Sequence, residues 1–112
     1  MEIFRKVPNK RCLNGLAFDY ELSVDLDTDH LADNLQAAFP EKLIRLEESL
    51  GPRRVVRLIL KFVMECRLGE RDQHVGLIHR MSAKEQRREE TEQHLENTLR
   101  RLAAEKVELA HD

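Results

Sequence analysis

The sequence contains no tryptophan, and four phenylalanines with one tyrosine are its whole aromatic complement. That leaves little for the stacking platforms that hold single-stranded nucleic acids. Cysteine is as scarce: Cys12 and Cys66 stand far apart with no CxxC spacing. Neither a disulfide framework nor a structural zinc site is expected from them, and free thiols in a reducing compartment are the expectation. No apolar run approaches the ~20 residues of a membrane span. The opening stretch, MEIFRKVPNKRCLNG, lacks the continuous apolar segment of a secretory signal, so the expected location is cytoplasmic, with no membrane partner. The four glycines form no phosphate-cradling loop, and no serine sits in a nucleophile-elbow setting.

What the 112 residues do have is charge, at 36%, beside 41% hydrophobic residues, which is enough apolar material for one core. The formal net charge of -2 supplies no general attraction to a phosphate backbone. It is unevenly spread, however. Residues 12–50 carry nine acids and two bases, whereas residues 53–80 carry seven bases and three acids. An acidic first half followed by a basic middle fits association between unlike patches, or a partner with a matching field.

Between residues 16 and 26 the even positions Leu16, Phe18, Tyr20, Leu22, Val24 and Leu26 are apolar, while Asp19, Glu21, Ser23 and Asp25 are polar. This period of two predicts a half-buried strand. Asn14-Gly15 before it suits a type I′ turn, so the preceding segment is its expected hairpin partner, with Leu13 facing Leu16 and Val7 facing Leu22. Pro8 removes a ladder donor and implies a bulge or an early end. Thr28 or Asp29 is the expected cap of a following helix, whose Leu31, Leu35, Ala38 and Phe39 share one face. Pro40 interrupts it, since the residue before a proline is pushed out of the helical region.

A second helical piece is expected over 41–50, ended by Gly51-Pro52. Over 53–68 the polar residues Arg54, Arg57, Lys61 and Glu65 recur at spacings of three and four among apolar neighbours, which predicts a central buried helix with Ile59 and Phe62 deep in the core. Gly69 would close it, and Asp72 would cap a short helix carrying Val75 and Ile78. Ser82-Ala83-Lys84-Glu85 reads as a capping box opening a long helix to the chain end, roughly 42 Å in length at 1.5 Å per residue. The expected fold is therefore α+β but mainly α: an N-terminal β-hairpin followed by four to five helices, the last one long. It divides into a globular domain over 1–81 and a C-terminal helix over 82–112 that projects or packs back.

On that last helix Leu95, Leu99, Leu102, Lys106 and Leu109 alternate steps of four and three, the apolar seam of a coiled coil. The seam is either core of its own domain or an interface, with a homodimer the leading use of an interface. Catalytic and metal-ligating arrangements are weak. Asp25, Asp27, Asp29 and Asp33 imitate the opening of a calcium loop, but His30 stands where the loop needs glycine and Gln36 where it needs a bidentate glutamate. None of His30, His74, His79, His94 and His111 forms an HxxxH pair, and Cys66 reads as a core thiol. No enzyme, cofactor or metal is expected.

A strand followed by two helices resembles the layout of ribbon-helix-helix repressors. The strand face that would enter the groove there is Asp19, Glu21, Ser23 and Asp25 here, which phosphates repel. Arg53, Arg54, Arg57 and Lys61 are the better candidates for nucleic-acid contact. The order hairpin, helix, apolar helix and terminal coiled coil also resembles the ZapA family of cell-division accessory proteins, with Gly51-Pro52-Arg53-Arg54-Val55 similar to the start of that family's central helix. That resemblance implies a coiled-coil oligomer that bundles filaments; the family's small-residue helix packing is absent. The function expected from the residues is a non-enzymatic protein–protein interaction module, an adaptor, chaperone or regulator, acting as a homodimer with an unidentified protein partner. A small DNA-binding transcriptional regulator using a basic helix edge is the competing expectation.

Overall fold

The computed structural model describes residues 3–10 and 16–111, with side chains as far as Glu108. The described chain folds as β1 (Phe4–Pro8), β2 (Ala17–Leu22), α1 (Thr28–Ala38), β3 (Ile44–Leu50), β4 (Arg53–Leu60), β5 (Met64–Leu68), β6 (His74–His79) and α2 (Glu85–His111). The strands form one antiparallel sheet in the order β1-β2-β6-β5-β4-β3. Helix and strand content are nearly equal. The fold is thus α+β, as expected, but not mainly α: two helices stand among the described residues, and the helices expected over 41–50, 53–68 and after Asp72 are strands.

The strands over 53–68 explain the difference. Val56, Leu58 and Leu60 of β4 and Met64, Cys66 and Leu68 of β5 face the helices, and all six are buried. Arg57, Ile59, Glu65 and Arg67 lie on the opposite face, so the pattern that imitated a helical polar stripe is two period-two strands read end to end. The turn between them, Lys61-Phe62-Val63, contains no glycine, proline, asparagine or aspartate. Phe62 takes φ 67° there and is 70% exposed. It is therefore a turn residue and not the core anchor expected from the pattern. Gly51-Pro52 is a hairpin loop, with Leu50 opposite Arg53 and Gly51 at φ 62°. With 53–68 folded as strands, the element order no longer resembles that of the ZapA family or of the ribbon-helix-helix repressors.

The N-terminal hairpin forms with Phe4 opposite Leu22 and Val7 opposite Asp19, three residues away from the register that places Val7 opposite Leu22. An odd slip exchanges the faces. Phe4 packs edge-on against Tyr20 with ring centroids 5.2 Å apart, and Lys6 turns towards α2. Asn14-Gly15 and Cys12 lie outside the described residues. The strand ends at Leu22 and not at Leu26, while Pro8 closes β1 as expected. Asp27, one residue before the expected cap, accepts a hydrogen bond from the His30 amide at 2.9 Å, and Phe39 leaves α1 at ψ 136° ahead of Pro40. Gly69, at φ 88°, turns the chain into β6; a Cβ there would lie 2.5 Å from the Arg54 carbonyl oxygen.

Both helices cover one face of the sheet. Leu31 and Leu35 of α1 and Leu95, Leu99 and Leu102 of α2 meet Tyr20, Val56, Leu58, Cys66, Val75 and Leu77 in a single core. Each large side chain so buried contributes roughly 1.5–3 kcal/mol. The helix α2 runs across the layer, on the scale of the molecule's 46 Å long axis. Polar contacts hold it along that path: Arg87 to Glu41, Lys6 to Glu92 (2.5 Å), Tyr20 to Glu96 (2.9 Å), Arg101 to Asn34 (3.0 Å) and Lys106 to the Asp25 carbonyl. These anchors account for a helix whose first turns are almost wholly polar. The capping box does not form, because the Ser82 hydroxyl donates to the Phe62 carbonyl at 2.8 Å and the helix starts at Glu85. No helix among the described residues is long and apolar enough to cross a membrane.

Candidate interaction surface on the uncovered sheet face

An antiparallel sheet can carry its helices on one face alone, and among the described residues both helices pack on the same side of this one. On the other side Ala17, Val55, Glu65, His74 and Gly76 are buried by their neighbours in the sheet, while the rest of the face is partly or fully exposed. The register places three rows of side chains across the uncovered face. The first is Ala17, Ile78, Glu65, Ile59 and Ile44; the second is Val7, Asp19, Gly76, Arg67, Arg57 and Leu46; the third includes Arg5, Glu21 and His74 on one side and Val55 and Glu48 on the other.

Arg57 and Arg67 are direct cross-strand partners, an arrangement that like charges disfavour. Glu65 resolves it. Its carboxylate accepts from Arg57 at 2.6 Å and from Arg67 at 2.5 Å, and its side chain is almost fully buried beneath them. Burial alone would raise the Glu65 pKa, but the hydrogen bonds and charges of the two guanidinium groups outweigh it and hold the carboxyl below its usual range. Glu48 pairs with the free side of Arg57 at 2.8 Å. On the other half of the face, His74 meets Asp19 at 2.7 Å and Arg71 approaches the same oxygen at 3.6 Å. Between the two clusters lies an open concavity of about 720 Å3, lined by Ala17, Asp19, Arg67, Glu70, His74 and Ile78 among others. Its charged side chains are of both signs, so it offers no strong field for an ion of either sign.

Towards β3 the face changes character. Ile44, Leu46 and Leu50 are 47, 43 and 55% exposed, and all three point to the uncovered side. The strand β3 is an edge, paired with β4 on one side and with no strand on the other among the described residues.

The residues singled out from the sequence fall in different places. Leu95, Leu99 and Leu102 lie in the core of this chain, fully or almost fully buried. Lys106 is exposed and donates to the Asp25 carbonyl, and the Leu109 side chain lies outside the described residues. Arg53, Arg54, Arg57 and Lys61 are not the edge of a helix, since they lie on β4 and its turn. Each arginine is matched with a carboxylate: Arg53 with Asp72, Arg54 with Asp29 and Glu47, Arg57 with Glu48 and Glu65. Lys61 sits over the Phe62 ring, 5.2 Å from its centroid. Arg54 and Arg57 emerge on opposite faces, so the four do not form one basic patch.

The chemistry-bearing residues are similarly occupied. Asp27 caps α1, while Asp29 and Asp33 hold Arg45. Hydrogen bonds from Arg54 keep the Asp29 carboxyl below its ordinary range. His74 and His79 share β6 but emerge on opposite faces of the sheet. Burial pushes the Cys66 thiol up to about 12. Among the described residues no three histidine, cysteine or acidic side chains converge as metal ligands. The sheet-face residues Ile44, Leu46, Glu65 and Arg67 were not legible as a site, because their proximity depends on strand register. Comparison with protein-family models, with curated proteins and with solved structures finds no match for this chain.

Proposed function

We propose that the protein is a non-enzymatic protein-binding module, an adaptor, chaperone or regulator of the cytoplasm, that works as a homodimer. Its partners meet the uncovered sheet face and its β3 edge. The observation that carries this reading is the row of Ile44, Leu46 and Leu50, large apolar side chains left in water on an edge strand of a half-covered sheet. Exposed apolar surface next to unpaired strand backbone favours association with another chain. The nearly balanced net charge of -2 adds little repulsion between copies.

Light scattering during size-exclusion chromatography at tens of micromolar tests the proposal. A mass of about twice the 13.2 kDa chain is expected, and a monomer would remove the homodimer.

A further inference from the structure

The two edges of the sheet are built differently. The edge strand β1 has five residues, ends at Pro8 and carries Lys6, which are the usual protections against pairing with another sheet. The other edge, β3, has seven residues, IRLEESL, with no proline and no lysine. No backbone hydrogen bond outside its ladder with β4 involves residues 44–50 among the described residues.

We propose that two copies of this chain join along β3 in antiparallel fashion, Leu46 facing Leu46, so that two six-stranded sheets become one continuous sheet. The proposal rests on the homodimer reading above and names its interface.

Register follows from parity and charge. A two-fold axis perpendicular to the sheet keeps the faces continuous, and it must pass through a residue paired with its own copy. An axis at Arg45 sets two guanidinium groups opposite one another, and an axis at Glu47 does the same with two carboxylates. Both arrangements are unfavourable. An axis at Leu46 sets Arg45 of each copy opposite Glu47 of the other and buries the exposed leucine against itself. Ile44 then lies diagonally beside Leu46 of the second copy, within reach of a long side chain. Within one chain Arg45 already sits 3.6 Å from Glu47 and holds Asp29 at 2.7 Å, and Glu47 accepts from Arg54 at 2.6 Å. The axis extends this alternation of charge without setting two like groups directly opposite one another, and it places Ile44 opposite Glu48 of the second copy. A closed dimer requires a surface complementary to itself, and the sequence Arg45-Leu46-Glu47 meets that requirement about its middle residue.

The test is oxidative cross-linking of single cysteines at 44, 46, 47 and 48 in a Cys12→Ser background, alongside light scattering of the unmodified chain. Leu46→Cys is expected to cross-link at least about tenfold faster than Ile44→Cys or Glu48→Cys, whose copies lie ~13 Å apart along the strand. Leu46→Arg, folded by circular dichroism, is expected to raise the dimer dissociation constant about tenfold or more. Fastest cross-linking at Glu47→Cys would overturn the register. A dimer that cross-links at none of the four positions, or that a folded Leu46→Arg leaves intact, would overturn β3 pairing while leaving a homodimer. A monomeric unmodified chain would overturn both proposals. If Leu46→Arg does not fold, the cysteine series decides alone.

Discussion

His79 packs its ring against Phe18, centroids 6.2 Å apart, with both nitrogens buried and neither hydrogen bonded. The nearest carboxylate oxygen, on Glu92, is 3.6 Å away and is already bound by Lys6 at 2.5 Å. Burial lowers the His79 pKa below 6.5, opposed in part by the Glu92 charge. The unfolded chain therefore binds the proton more readily than the folded one. The contribution to stability is complete above about pH 7 and is lost as the pH falls from the unfolded pKa towards the folded one. Urea unfolding between pH 7 and pH 5 should show stability decreasing with acidification, and His79→Leu should flatten that slope. Little of this was legible beforehand. His79 was one of five scattered histidines, and only the register of β6, pointing His79 inward and His74 outward, gives the two their different surroundings. Glu65 was hidden for the same reason, since its arginine partners are neighbours across and along strands and not at helical spacing.

At the scale of elements, α1, β2 and α2 were readable and β3 to β6 were not. The even-numbered apolar residues of β2 do face the core, and Pro40 does end α1, because period and proline act locally. Residues 53–68 misled because β4 carries apolar residues on both faces, Val55 and Ile59 standing on the side away from the helices, and because the reversal at Phe62 uses no ordinary turn residue. Val55, Val56 and Ile59, β-branched and clustered, were the one local sign of strand. The long helix was legible in extent but not in use. Its leucine seam follows from helical geometry whether the partner is a second helix or a sheet, and here Leu95, Leu99 and Leu102 are packed against this chain's own strands. Leu99→Asp should accordingly abolish cooperative thermal unfolding at every protein concentration, since an unpaired carboxylate in the core costs several kcal/mol. A variant that stays folded but loses self-association would instead mark the seam as an interface.

Among the described residues the molecule is a two-layer arrangement, with both helices on one face of the sheet and two of the six strands at its edges. Backbone amides of β2, β6, β5 and β4 have neighbours on both sides and should be the slowest to exchange with deuterium. Those of β1 should exchange early at any concentration. Those of β3 should be fast in dilute solution and gain protection as the protein is concentrated, a difference that exchange mass spectrometry at two concentrations would reveal. Composition and local pattern were enough to establish one apolar core, a strand near the start, a proline-stopped helix and a long terminal helix, because these depend on interactions within a few residues. Strand order, the three-residue hairpin register, the burial of Glu65 between two arginines and the exposure of Ile44, Leu46 and Leu50 arose only when distant segments were paired. Antiparallel pairing is set by contacts between residues far apart in the chain, and no spacing along one segment encodes which face its neighbour will cover.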